Sequence, residues 1–350
     1  MVPVAVHGPL TRHMVAMIGK AWRKSAVLTP SDIPCLRTIP TINLTAGCLH
    51  GCLYCYARDY SQFPGDGRII FYENTLDMLR DELSRRRTKP EAVYFSPSSD
   101  LFQPAPEVLD MAEATLRFLL GKGVRIAFLT KGHIPNRVLA LMGDQAELIT
   151  AQIGIITTDE SIARTFEPGA ASPKRRLKQI ETLVKAGVPT EARVDPILPT
   201  VTDDPKATER LFATLKDVGV TRAAIDLLFL RPAIVRSLSR HIAEKDILAR
   251  LLSAFSKPAL QGLAGTGTHT RQLPLEVRRQ TFALTRKLAA AHGIGVSICA
   301  CENPDLAHGT CNIAGKWSRR RPLTAQLPFL SLQADVGASG NGSATDGQRQ

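Results

Sequence analysis

Apolar residues along this chain recur with two spacings that take turns. Short continuous runs over 39–45, 92–96, 124–130, 148–156, 190–197, 223–230 and 294–299 are rich in Val, Ile and Leu. A strand buried on both faces has no side that needs polar residues, so such runs predict a parallel sheet covered by helices. The stretches between them repeat at helical spacing. Leu76, Leu79 and Leu83 follow Asn74, one segment runs from Pro106 to Gly121, and another spans 135–142. Leu177, Ile180 and Val184 follow Ser172 and Pro173 and stop at Gly187. Asp204 with Pro205 opens the next segment, and 233–255 and 274–292 complete the series. Side-chain oxygens of Asn, Ser and Asp satisfy the free amides of a helix start, Pro fits the first turn, and Gly ends the helix. The alternation predicts an α/β fold with six or seven parallel strands, short of a closed eight-fold barrel.

The two ends depart from this rhythm. Residues 1–38 form an N-terminal extension with one predicted helix, over 11–22, ahead of Pro30 and Pro34. The alternation occupies 39–298, a cysteine-containing segment follows over 299–333, and the Gly/Ser-rich stretch 334–350 reads as a disordered tail.

Composition changes this picture little. With 350 residues, 44% of them hydrophobic, the chain has ample material for a core. It has no apolar run of 18 residues and no N-terminal signal pattern, so a soluble, cytoplasmic protein with no membrane partner is expected. The net charge of +12 gathers at Arg85–Arg87 with Lys89, at Lys174, Arg175, Arg176 and Lys178, and at Arg319–Arg321. Such clusters suit a phosphate-rich partner or, equally, solvated helix faces. Only 5% of residues are aromatic, which leaves few stacking platforms for single strands. The 7 cysteines are odd in number and clustered, a pattern of metal binding in a reducing compartment rather than of a disulfide scaffold.

Cys48, Cys52 and Cys55 follow the first run directly, spaced C-x3-C-x2-C. A cubane iron–sulfur cluster takes one cysteine per iron, so three cysteines leave one iron open to bind a substrate or cofactor. The other reading is structural zinc with His50 as fourth ligand. Polar residues also gather where the predicted strands end: Ser96–Asp100, Thr130–Lys131, Thr157–Asp159 and Arg193–Asp195. In parallel α/β folds those ends carry the active site, although any one such residue can be a helix cap. After the last run, Cys299, Cys301 and Cys311 stand near His308. They read as a second iron–sulfur cluster, a zinc site, a hydrogen-donating or redox thiol, or inert residues. Cys35 reads as a buried apolar cysteine, or as a completing ligand of that set.

The cysteine loop, with Tyr54 as the aromatic before its last cysteine, resembles the signature of the radical S-adenosylmethionine (SAM) superfamily. Within it the chain resembles the spore photoproduct lyase branch, often labelled DNA repair photolyases. The matching stretches are Ser98–Asp100, Leu129–Lys131, Phe166–Pro168, Ser172–Pro173 and Arg176–Leu177, within 39–199. This resemblance implies a partial (β/α)6 TIM-like barrel and a 4Fe-4S cluster on the catalytic Cys48, Cys52 and Cys55. It implies SAM bound at the open iron and cleaved to a 5′-deoxyadenosyl radical, with an electron from a donor such as flavodoxin or ferredoxin. Ser98 or Ser99 would hold the SAM amino or ribose groups, Lys131 its carboxylate, and Tyr54 would lie near the adenine. Nucleic acid is the candidate substrate. The pattern departs at Pro97, where the lyases place a hydrogen-donating cysteine just before the Ser-Ser-Asp segment, so direct reversal of a thymine dimer does not carry over. The alternatives are radical chemistry on a peptide or small metabolite, and a zinc-containing nucleic-acid-binding module.

Overall fold

The computed structural model describes residues 2–4, 16–262 and 269–310. In chain order these residues form β1 (Val2–Val4), β2 (Ala16–Ala21), β3 (Thr41–Ile42), β4 (Thr45–Ala46), β5 (Arg68–Tyr72), α1 (Thr75–Arg85), β6 (Ala92–Phe95) and α2 (Pro106–Gly121). There follow β7 (Arg125–Thr130), α3 (Asn136–Asp144), β8 (Ile149–Gly154), α4 (Glu160–Phe166), α5 (Pro173–Lys185), β9 (Thr190–Ile197) and α6 (Pro205–Asp217). The last are β10 (Arg222–Leu227), α7 (Pro232–His241), α8 (Lys245–Ser253), β11 (Ala259–Gly262), β12 (His269–Gln272), α9 (Leu275–Ala291) and β13 (Gly295–Ile298).

The predicted runs become one parallel sheet of 7 strands in the order β13-β10-β9-β8-β7-β6-β3, so each strand lies beside its predecessor in the series. β3 and β13 remain edges, which makes the sheet an open, partial (β/α) barrel. Every residue of β8 is buried, as expected for a central strand covered on both faces. Asp204 caps α6 through the Ala207 amide at 2.8 Å, and Ser172 caps α5 through the Arg175 amide at 3.3 Å.

Several expectations give way. Residues 16–21 of the predicted first helix are β2, with Ala16 and Ile18 alternating inward, and β2 joins a second sheet ordered β1-β2-β5-β4. Residues 11–15 lie outside the described residues, as do the expected tail 334–350 and most of 299–333. The run 39–45 is two short strands in different sheets, because β3 pairs with β6 while β4 pairs with β5. The predicted helix 233–255 breaks at Ile242, which is extended and buried, so α7 and α8 pack separately. Asn74 caps nothing: its side chain is clamped to the Arg23 backbone, Oδ1 accepting from the amide at 2.8 Å and Nδ2 donating to the carbonyl at 3.1 Å. α5 buries Arg176, Gln179, Ile180 and Leu183, a face rotated from the apolar one, because its two polar members are satisfied inside.

Candidate active site

The cysteine loop is pinned from several sides. Gly47 holds φ +80°, and a Cβ there would lie 2.6 Å from the Arg68 carbonyl oxygen and 2.7 Å from Pro64, so only glycine fits. Gln103 is fully buried; it accepts from the Leu49 amide at 2.8 Å and donates to the Thr45 hydroxyl at 2.8 Å. The end of α4 and the segment after it latch on through backbone, Leu53 N to Phe166 O at 2.9 Å and Gly169 N to His50 O at 2.8 Å, and through the Glu167 carboxylate, which accepts from the Tyr54 hydroxyl. Gly169 approaches so closely that a Cβ would meet the Leu49 carbonyl at 2.3 Å. Arg58 donates to the carbonyls of Cys52 and Gly51, each at 3.1 Å, and pairs with Asp66. Rigid carbonyl and amide partners of this kind fix where three thiols point.

Those thiols stand half-buried around one cavity of about 240 Å³. Burial pushes all three up: Cys52 to about 12, with Glu167 adding to the shift, Cys48 well above the usual thiol value, and Cys55 less far. Thiolates this poorly solvated need a metal cation to exist at neutral pH. A tetrahedral structural zinc takes four protein ligands, whereas a cubane cluster takes one cysteine per iron. His50 does not complete a zinc set. It is buried, with Nδ1 3.0 Å from the Gly169 carbonyl and Nε2 3.2 Å from Asp100 Oδ2. Burial pushes the Asp100 carboxyl up, but neighbouring His50, the Thr130 hydroxyl and the Lys131 amide outweigh it and hold Asp100 below the usual range. The donor set thus fits an iron–sulfur cluster with one open iron.

The cavity lies at the carboxyl ends of the sheet, and Tyr54, Ser98, Ser99 and Lys131 all line it. The Lys131 ammonium sits 5.6 Å from the centroid of the Tyr54 ring and donates to the Asp195 carbonyl at 3.3 Å. Its stem crosses Gly154, where a Cβ would come within 2.8 Å. The Tyr54 hydroxyl donates to Glu167, which pairs with Arg176 at 2.5 Å, and Arg176 also donates to the Gly154 carbonyl at 2.8 Å. Burial opposes the Glu167 charge, but Arg176 and Lys131 more than offset it and lower its pKa. Ser98 and Ser99 both turn their hydroxyls to Asn43 Oδ1, at 3.2 and 3.4 Å. Ser96, at φ +59°, holds a left-handed conformation that is costly for serine, and its buried hydroxyl finds no partner. Asp100 makes a turn rather than a helix cap, accepting from the Phe102 amide at 2.8 Å; Asp159 is the residue that caps, at the start of α4.

The carboxyl-terminal residues reach the same cavity. Cys299, buried, and Glu302 line it, while Cys301 is half-buried and Cys311 lies outside the described residues. His308 is exposed, with Nε2 3.0 Å from Arg286 Nη2. Cys35 lines the cavity too, half-buried against the small apolar cluster of Leu36, Tyr94 and Ala127. Sequence reasoning missed Asp226, at the end of β10, and Glu302; acidic residues far apart in sequence carry no local signal. Among the described residues, Asp226, Cys299 and Glu302 form the group whose ligand atoms all lie within 4.8 Å. Burial pushes both carboxyls up, Asp226 to about 6 and Glu302 further, each charge opposing the other.

Comparison with known proteins agrees with this geometry. A model of the radical SAM superfamily matches residues 42–212. A "Radical SAM Nalpha-GlyT isomerase" of Pseudomonas phage M6 is 29% identical over 296 residues, covering 83% of this chain and 56% of that protein. An uncharacterized protein of Mycobacterium bovis is 29% identical over 200 residues, covering 55% of this chain and 59% of that one. The chain therefore spans less than two thirds of the length of these relatives. Among solved structures, spore photoproduct lyase complexed with dinucleoside spore photoproduct superposes with a TM-score of 0.63 at 16% identity, covering 84% of this chain and 88% of the other. At that identity the likeness concerns the fold, which is the lyase's partial barrel. The radical SAM superfamily match thus spans the cysteine loop and most of the sheet it feeds, and the fold is that of the lyase's partial barrel.

Proposed function

We propose that this chain binds SAM beside a 4Fe-4S cluster on Cys48, Cys52 and Cys55, cleaves it reductively, and acts on a nucleobase. The observation that carries the reading is the convergence of three desolvated thiols, Lys131 and the Ser98–Ser99 pair on one cavity at the carboxyl ends of a parallel sheet. When bound, the cluster and SAM supply a 5′-deoxyadenosyl radical able to abstract hydrogen, with the electron coming from a flavodoxin- or ferredoxin-like donor. The protein's own part is to bind, orient and exclude water. Lys131, held between the Tyr54 ring and the Asp195 carbonyl, offers an ammonium to the SAM carboxylate. Ser98 and Ser99 offer hydroxyls to its amino or ribose groups. Tyr54, its hydroxyl bound to Glu167, forms the wall beside Lys131 and would lie near the adenine.

Two features support a nucleobase. Tyr56 and Tyr60 meet edge to face at 5.8 Å on the cavity wall, near Phe63 and Arg231, which suits stacking of a flat ring. A structural neighbour binds a dinucleoside, and a relative carries the name given above. A peptide or small metabolite is the second reading, favoured by a cavity of only about 240 Å³. The zinc-module reading lacks its fourth ligand, since His50 is engaged by the Gly169 carbonyl and Asp100. The test is anaerobic reconstitution with iron and sulfide, followed by reduction in the presence of SAM. We expect 5′-deoxyadenosine from the wild type and none from the variant with Cys48, Cys52 and Cys55 all changed to Ala. Product from that variant would overturn the reading, and oligonucleotides against cell-extract peptides and metabolites would then separate the substrate classes.

A further inference from the structure

We propose that Asp226, Cys299 and Glu302 form a binding site for a single divalent ion of zinc type, at the wall of the cavity that Cys299 and Glu302 line. The proposal stands on these residues alone and does not depend on the SAM reading.

The site is built into the sheet. β10 and β13 pair in parallel with Ile225 opposite Ile298, so Asp226 and Cys299 are the next residues on neighbouring strands. Their ligand atoms and that of Glu302 all lie within 4.8 Å of one another. A tetrahedral ion with bonds of about 2.0–2.3 Å needs ligands about 3.3–3.8 Å apart, which small side-chain movements reach.

Asp226 is aimed at that point. Its Oδ1 accepts from Asn303 Nδ2 and from the Leu227 amide, both at 2.7 Å. Asn303 in turn accepts from Arg278 at 3.1 Å, and Arg278 is fixed by two bonds to Asp305 at 2.9 and 2.5 Å. The other carboxylate oxygen, Oδ2, receives no N–H or hydroxyl donor although the residue is 1% exposed, and the carboxyl that shares a hydrogen bond with Asp226 is Glu302. A buried anionic oxygen without a donor is costly unless a cation or a proton lies against it. Ligands held from behind by an outer hydrogen-bond chain are the usual construction of a metal site.

Charge points the same way. Asp195, Asp226 and Glu302 lie close together, with Arg193, whose Nε donates to Asp195 at 2.9 Å, and the Lys131 ammonium, 3.3 Å from the Asp195 carbonyl, as cations beside them. A divalent ion would neutralise the Asp226–Glu302 pair. A shared proton would answer the carboxyl pair alone; the adjacent thiol is the ligand that favours zinc over magnesium or calcium. Because Cys299 and Glu302 line the cavity, an ion held by three protein ligands keeps a position facing the substrate space. Such an ion would take an anionic or carbonyl oxygen of the substrate.

The experiment uses the reconstituted protein, equilibrated with chelator-buffered zinc, with zinc and iron counted separately and the zinc shell read by X-ray absorption. We expect one zinc per chain beyond the cluster iron, with one sulfur among its ligands. Asp226→Asn and Cys299→Ser should each weaken zinc binding at least about 100-fold, and Asn303→Ala, which removes no ligand, about 10–100-fold. Circular dichroism of each variant separates lost binding from lost folding, and a misfolded Asp226→Asn leaves Asn303→Ala and Cys299→Ser to decide. Wild type that holds no zinc overturns the proposal, as does zinc with only nitrogen and oxygen ligands. Loss of several irons with Cys299→Ser would also overturn it, in favour of a polynuclear cluster.

Discussion

Glu167 ties three parts of the site together, since one buried carboxylate serves Arg176, the Tyr54 hydroxyl and, through space, Lys131. Removing it leaves Arg176 charged at 1% exposure. A broken buried pair of this kind costs about 3–5 kcal/mol, so Glu167→Ala should lower urea-unfolding stability by that order, whereas an unchanged midpoint would contradict the pairing. The pH dependence has a definite sign. The folded pKa of Glu167 is lowered, so its stabilisation is present above the ordinary carboxyl value near 4.5 and is lost as pH falls through the lowered one. Glu167→Gln should flatten that part of the acid-side stability curve. Lys131 is a separate matter. Changing it to Ala removes a charge-assisted bond of roughly 1.5–3 kcal/mol, so SAM affinity should fall about 10- to 150-fold with the iron content intact. Equilibrium binding of SAM to the reconstituted protein measures this directly, and an unchanged constant would mean that Lys131 serves only the Asp195 carbonyl.

Elements show where sequence patterns carry information and where they lose it. The central strands were legible because burial on both faces removes polar residues from a run, and β8 is buried throughout. β3 and β4 were not separable, since a single polar residue, Asn43, with the apolar Leu44 carries the chain from one sheet to the other inside an otherwise β-prone run. The inward face of α5 was misplaced because Arg176 and Gln179 look like surface residues until their partners are known. Gln179 accepts from the Ile134 amide at 2.7 Å, and its amide donates to the Gly132 carbonyl at 3.1 Å. The cysteine loop itself was readable at close spacing, but the segment that holds it, from Phe166 to Gly169, does so, apart from Glu167, through backbone atoms that no residue type advertises. Gly47 is the exception, a visible glycine with a structural demand. Gly47→Ala forces a Cβ to within 2.6 Å of a carbonyl at positive φ, so the loop must move. We expect reconstituted iron to fall well below the wild-type content while the far-ultraviolet dichroism persists; full iron loading would show that the loop adapts.

At the scale of the whole molecule, net charge is a poor guide to how nucleic acid would be held. The sum of +12 suggests a broad cationic surface, yet folding takes members out of two of its clusters while Arg86, Arg87, Lys174 and Arg175 stay exposed. Arg176 leaves the surface for the core, Lys178 pairs with Glu181 at 2.8 Å, and Arg85 pairs with Asp81 at 2.7 Å. Arg319–Arg321 lie outside the described residues. The cavity, by contrast, is assembled from both ends of the series, bringing Cys48 and Cys299 to one wall-lined space. If a nucleobase is the substrate, recognition should come from that cavity more than from phosphate contacts. Each neutralised phosphate contributes about −0.9 to the slope of log affinity against log salt on duplex DNA and about −0.7 on single strands. We therefore expect a shallow slope, between about −1 and −3, for an oligonucleotide titrated by fluorescence anisotropy from low to physiological salt. Tyr60→Ala should weaken binding by roughly 1–3 kcal/mol without changing that slope, because stacking releases no counterions. A slope near −6 with no effect of Tyr60 would assign binding to the surface charge instead, and no binding at any salt would favour the peptide or small-metabolite reading.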